Sequence, residues 1–126
     1  MTTATFRPLT TDERSILDRM LESDFPGRDA AREQLSHATA RTIDTEGSLE
    51  IRTESDAVIR NERTVVAESW YLDDDGMVVN LLLHVSQGKI RELEIYKDDS
   101  SPVRKPPSAD ILDLTSRYDG AGRARA

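Results

Sequence analysis

Met77 to Lys97 reads MVVNLLLHVSQGKIRELEIYK, and no other stretch restricts the fold as much. Two apolar-rich segments flank Ser86-Gln87-Gly88, the pattern of two strands joined by a tight turn. In the first segment Met77, Val79, Leu81, Leu83 and Val85 share a face, because side chains alternate along a strand. In the second, Arg91, Leu93, Ile95 and Lys97 share one face, and Ile90, Glu92, Glu94 and Tyr96 the other. A two-residue Gln87-Gly88 turn would set Glu92 opposite Leu83 and Glu94 opposite Leu81, driving two carboxylates into the apolar face at a desolvation cost. A three-residue Ser86-Gln87-Gly88 loop with a glycine bulge instead pairs Leu81 with Leu93 and Val79 with Ile95. Burial selects the three-residue loop.

The rest of the chain reads as cover for one face of that hairpin. Thr10 followed three residues later by Glu13 fits a capping box, and Asp12 and Glu13 suit the positive end of a helix. Ile16, Leu17, Met20 and Leu21 then recur at helical spacing, predicting a helix to about Glu22 that stops before Asp24-Phe25-Pro26-Gly27. A shorter helix begins at Gly27 or Asp29 with a thin apolar side of Ala31, Leu35 and Ala38, so Phe25 is expected to fix the corner. From Ala38 the period changes to two: Thr39 to Asp44, a turn at Glu46-Gly47, and a return strand from Ser48 to Thr53. Glu54 to Asn61 reads as a loop, tucked in by Val58 and Ile59. Arg63 to Leu72 reads as a strand, and Asp73-Asp74-Asp75-Gly76 as a solvated turn. A calcium loop needs spaced acidic positions, an internal glycine and a distant glutamate, and this run lacks that pattern.

The expected architecture is α+β, with two N-terminal helices packed on one face of a mainly antiparallel sheet of about five strands. Residues 1–114 form the domain and 115–126 a tail. A three-residue Asp74-Asp75-Gly76 loop puts Val65, Ala67, Ser69 and Tyr71 on the core face. The second face then carries Val66, Glu68, Trp70, Leu72, Val78, Asn80, Leu82, His84, Ile90, Glu92, Glu94 and Tyr96. That mixture is too apolar for a plain solvent face.

Several stretches resemble an uncharacterised family of small bacterial proteins, a domain of unknown function. They are Asp24-Phe25-Pro26-Gly27, Arg32-Glu33-Gln34-Leu35, Leu82-Leu83-His84-Val85 with Gly88, and Leu93-Glu94-Ile95-Tyr96-Lys97-Asp98-Asp99 with Ser101-Pro102. The family pattern has glycine where this chain has Ser100. The resemblance covers roughly residues 9–114 and implies a bacterial source and a shared fold. It brings no activity and no assigned site.

Chemistry-bearing patterns are few. The chain has 126 residues and no cysteine, which removes thiol nucleophiles, Cys-ligated zinc and disulfides together and fits a reducing cytoplasm. The net charge is −7, and an acidic body repels phosphate backbones, so no nucleic acid is expected. The weakly basic end, with Arg117, Arg123 and Arg125, reads as a solvated terminus. The opening residues lack the apolar run of a signal peptide, and no apolar run approaches a membrane span. There is no phosphate-binding or dinucleotide-binding glycine pattern and no Gly-x-Ser-x-Gly elbow, so no cofactor is expected and no metal is assigned. His37 reads as a cap for helix carbonyls.

Two functional readings follow. The leading one is a non-enzymatic binding or protein-interaction module. A protein partner or a second copy would dock on the second sheet face through Trp70, Leu82 and Tyr96, since aromatic anchors with a charged rim match interface anatomy. The alternative is a small metal-dependent or acid-base enzyme using His84 with Glu92 and Glu94, with Glu68 nearby. An enzyme needs a concave pocket around His84, whereas a module needs a flat exposed patch.

Overall fold

The structure, a computed structural model, describes residues 5–117. Among the described residues the fold is α+β: two α-helices, a short 3-10 helix and one antiparallel sheet of six strands. In chain order these are β1 (Arg7–Pro8), α1 (Thr11–Met20), α2 (Arg28–Leu35), β2 (Ala38–Thr42), β3 (Leu49–Thr53), β4 (Val65–Leu72), β5 (Val78–Ser86) and β6 (Lys89–Lys97), with the 3-10 helix at Ala109–Ile111. The sheet order is β1-β2-β3-β6-β5-β4. The sixth strand, absent from the sequence reading, is two-residue β1, too short to carry a period. It pairs Arg7 with Ala40 and Pro8 with Thr39 at the sheet edge.

Helix α1 starts where its cap places it. The Thr10 hydroxyl accepts from the Glu13 N–H, and the Glu13 carboxylate accepts from the Thr10 N–H. At the start of α2, Gly27 sits at φ +93°, and a side chain there would press into Ile59. Ile16, Leu17, Met20, Ala31 and Leu35 join Ile51, Leu81, Leu83, Leu93 and Ile95 in one buried core, and Phe25 packs against it. In the loop after β3, Ile59 is buried as expected, but Val58 is an exposed apolar side chain.

The central hairpin has the expected faces from Glu92 to Lys97 and a different register. Ser86 pairs with Lys89 around a two-residue Gln87-Gly88 turn, not a three-residue loop. Both turn residues have positive φ, the geometry of a tight primed turn. The register then shifts between Val85↔Ile90 and His84↔Glu92, leaving exposed Arg91 without a cross-strand partner. Beyond this bulge Leu83 pairs with Leu93, Leu81 with Ile95 and Val79 with Lys97. A one-residue bulge reverses the side-chain alternation, so it lifts both glutamates out of the core without a longer loop. It also puts Ile90 inside, correcting its placement on the second face.

A second bulge corrects the neighbouring strand. Asp73 donates its N–H to the Met77 carbonyl, so the loop is Asp74-Asp75-Gly76 as read. However, Val65 pairs with His84 and Ala67 with Leu83, which leaves Val66 as the extra residue. Val66 is therefore buried, and Val65 takes the His84 side.

The three aspartates make the expected turn, yet they are not simply solvated. Asp73 has no exposed side chain and holds Lys97 Nζ at 2.9 Å. It also accepts from the backbone N–H groups of Asp74, Arg104 and Lys105. Asp75 holds the same Lys97 at 2.7 Å. Burial alone would push the Asp73 carboxyl up, but the hydrogen bonds from Arg104, Lys97, Asp74 and Lys105 outweigh it and hold the group well below the usual carboxylate range. The node ties the β4–β5 turn, the end of β6 and the C-terminal segment together. Ser100 in the turn after β6 takes φ +63°, a left-handed conformation that glycine adopts more readily than serine.

Beyond the node, the segment docks Leu112 in the core and pairs Asp113 with Trp70 at the outer edge of β4. Arg117 does not extend into solvent. It reaches Asn80 at 2.7 Å and Asp98 at 2.9 Å. The remainder of the expected tail, with Arg123 and Arg125, lies outside the described residues.

Candidate functional site

The site is a sheet face, built by the hairpin register. The pairs His84↔Glu92, Leu82↔Glu94 and Asn80↔Tyr96 stand side by side along β5 and β6. Because side chains alternate, all six project from the surface opposite Leu81, Leu83, Leu93 and Ile95. On the β4 side Glu68 pairs with Leu82 and Trp70 with Asn80. On the β3 side Glu50 pairs with Glu92. Had the two-residue turn continued without its bulge, Glu92 and Glu94 would have gone into the core. The arrangement therefore depends on Arg91.

The structure brings His84, Glu92 and Glu94 together. His84 Nε2 lies 2.8 Å from Glu94 Oε1, with the two side chains 32% and 39% exposed. One ligand atom from each of His84, Glu92 and Glu94 can be chosen so that all three lie within 4.8 Å of one another. Glu94 is occupied by the imidazole, and Glu50 by Arg41 at 2.6 Å. Glu92 has no hydrogen-bond or ion-pair partner among the described residues. Three carboxylates thus crowd one patch with one imidazole and one guanidinium among them. Like charges set directly opposite across strands, as Glu50 and Glu92 are, repel.

Trp70, Leu82 and Tyr96 are half-buried on the same face, and Leu72 at its edge is 53% exposed. The C-terminal segment takes part of this surface. Trp70 exchanges backbone hydrogen bonds with Asp113 and donates its indole N–H to the Thr115 carbonyl at 3.0 Å. Arg117 bridges Asn80 and Asp98, and with Asn80 it holds the Asp98 carboxyl below its usual range against the opposing effect of burial. Residues 113–117 meet the sheet at its Trp70–Asn80 end. His37 lies elsewhere, with its ring 3.3 Å from Glu33 rather than on helix carbonyls.

Two contributors were not readable from the sequence. Glu50 belongs to β3, and its approach to Glu92 depends on a long-range strand pairing that no local pattern announces. Arg41 comes with it. Surface clefts beside Arg19 and Leu112, and beside Phe25 and Arg63, do not include His84, Glu92 or Glu94. No helix among the described residues is long and apolar enough to cross a membrane.

No curated protein and no solved structure matches the chain. Residues 6–107 match a family described as a domain of unknown function, DUF6984, and the chain belongs to that family.

Proposed function

We propose that the protein is a non-enzymatic binding or protein-interaction module of the bacterial cytoplasm. It is a single domain with both helices on the core face of the sheet and the segment through Arg117 docked on the sheet, and the face opposite the helices receives the partner. The observation that carries this reading is the composition of that face. Half-exposed Leu82, Tyr96 and Trp70 stand beside a carboxylate, Glu92, for which the described residues supply no partner. Apolar anchors next to uncompensated charge are the ingredients of an interface core and its rim.

Charge selects the occupant. Glu50, Glu68, Glu92 and Glu94 all project from this face, so a second copy laid on it about a two-fold axis near Glu92 would oppose carboxylate to carboxylate. The partner is therefore a different protein, presenting basic side chains and an apolar anchor. The alternative of a small metal-dependent or acid-base enzyme is supported by the 2.8 Å approach of His84 to Glu94. It is the weaker reading, because a sheet face gives a substrate little enclosure.

A photo-crosslinking amino acid placed at Leu82 tests the module directly in cells. A specific adduct should form from Leu82, should be absent when the same group replaces exposed Val58, and should disappear when Glu92 and Glu94 are both changed to lysine. Equal adducts from both positions, or none from Leu82, would refute the proposal. An adduct of the chain with itself would return the homodimer.

A further inference from the structure

We propose that His84, Glu92 and Glu94 bind one divalent first-row transition-metal ion, with an imidazole nitrogen and two carboxylate oxygens as its protein ligands. The inference stands whether or not a partner docks on the face.

Geometry carries it first. For bonds of about 2.1 Å, two adjacent ligand atoms of an octahedral ion lie about 3 Å apart. His84 Nε2 and Glu94 Oε1 are already 2.8 Å apart, near the edge of such a polyhedron. One ligand atom from each of the three side chains can be chosen so that all lie within 4.8 Å of one another, and Glu92 is held by no hydrogen bond or ion pair among the described residues. Its carboxylate can turn toward the shared point without breaking a contact. The backbone under the site is rigid, since His84 and Glu92 are directly paired in a hydrogen-bonded ladder and Glu94 lies two residues along the same strand.

Charge and donor chemistry agree. Glu50 opposite Glu92 is paired with Arg41, whereas Glu92 has no partner among the described residues and Glu94 faces only the imidazole. A dication would relieve the repulsion between the two ligand glutamates. An imidazole donor suits zinc or iron better than calcium or magnesium, which take oxygen ligands, and the two carboxylates also admit manganese. All three side chains are part-exposed, so an ion can enter from solvent. Three ligands on a sheet surface leave the outward positions to water or to a donor atom of a docked molecule.

Calorimetric titration of the full chain with zinc chloride, repeated with manganese chloride, tests the site. Saturable binding of one ion per chain is expected. Loss of an outer-shell partner alone costs about 10–100-fold in metal affinity, so His84→Ala should weaken binding at least that far. Glu92→Gln removes a ligand charge at an exposed position without changing shape, and should weaken it comparably while the circular dichroism spectrum is preserved. His37→Ala, which removes the exposed pair that His37 makes with Glu33 just past the end of α2, should leave binding unchanged. No saturable binding of either ion to the wild type, unchanged affinity in folded Glu92→Gln, or loss of binding in His37→Ala alone would overturn the assignment.

Discussion

Lys97→Ala should lower the thermal midpoint by about 10 °C or more, the largest drop of any single substitution considered for this chain. Lys97 has no exposed side chain, and its ammonium lies 2.9 Å from Asp73 and 2.7 Å from Asp75. Truncating it leaves the buried Asp73 carboxylate without its counter-charge, which is far costlier than losing a surface pair. It also loosens the point at which Asp73 accepts from the Arg104 and Lys105 N–H groups, so the C-terminal segment should fray with the node. Replacing both partners relieves the stranded charge. The pair Lys97→Met with Asp73→Asn should therefore lose less than the sum of the single changes, read by scanning calorimetry.

The same node sets the acid limit of the fold. Asp73 and Asp75 are held below the ordinary aspartate range in the folded state, Asp75 chiefly by its hydrogen bond from Lys97. A carboxyl that is more acidic when folded contributes stability above its unfolded pKa and loses it as pH falls toward the folded value. Stability should thus hold through neutral pH and decline from about pH 4 downward, where unfolded aspartates begin to take up protons. Asp73→Asn should flatten that decline.

Gln34→Ala should cost about 2–4 kcal/mol, because it strands the buried Ile90 N–H and takes one of two donors from each of the Ala57 and Gly88 carbonyls, which keep Lys89 and the Ile59 N–H. Gln34 is fully buried in α2, yet its amide is fully used. The side-chain nitrogen donates to the carbonyls of Ala57 and Gly88, each at 2.8 Å, and the oxygen accepts from the Ile90 N–H at 2.9 Å. One side chain thus fastens the loop after β3 to the turn of the central hairpin. Gln34→Glu keeps the acceptor but sets a carboxylate against two carbonyls. It should be destabilised at neutral pH and partly rescued in mild acid, where the protonated form regains a donor. A loss under about 0.5 kcal/mol for Gln34→Ala in urea unfolding would mean that water replaces the amide and the loop is not fastened there.

Gly27, Gln34, Gly88 and Lys97 each solve a problem of folding rather than of chemistry. Gly27 and Gly88 take positive φ, while Gln34 and Lys97 satisfy buried polar groups. The faces of the hairpin were legible because two carboxylates cannot share a core with four aliphatic side chains. The register was not. Parity is the same for a longer loop and for a tight turn followed by a bulge, and nothing in Arg91 marks it as the extra residue. Val66 escaped for the same reason. Lys97 was placed inward by alternation alone, but its partners come from a turn and a segment distant in sequence. His84, Glu92 and Glu94 were readable as a group because they lie on one hairpin. Glu50 and Arg41 needed the β3–β6 pairing.

The molecule divides into residues that hold the fold and residues spared from that task. Urea unfolding of the triple variant His84→Ala, Glu92→Gln, Glu94→Gln in metal-free buffer tests the division. A partly exposed ion pair contributes at most about 1 kcal/mol, so the triple variant should unfold within about 1 kcal/mol of the wild type. A loss matching that of Gln34→Ala would make the cluster a structural element and would contradict the placement of function on this face.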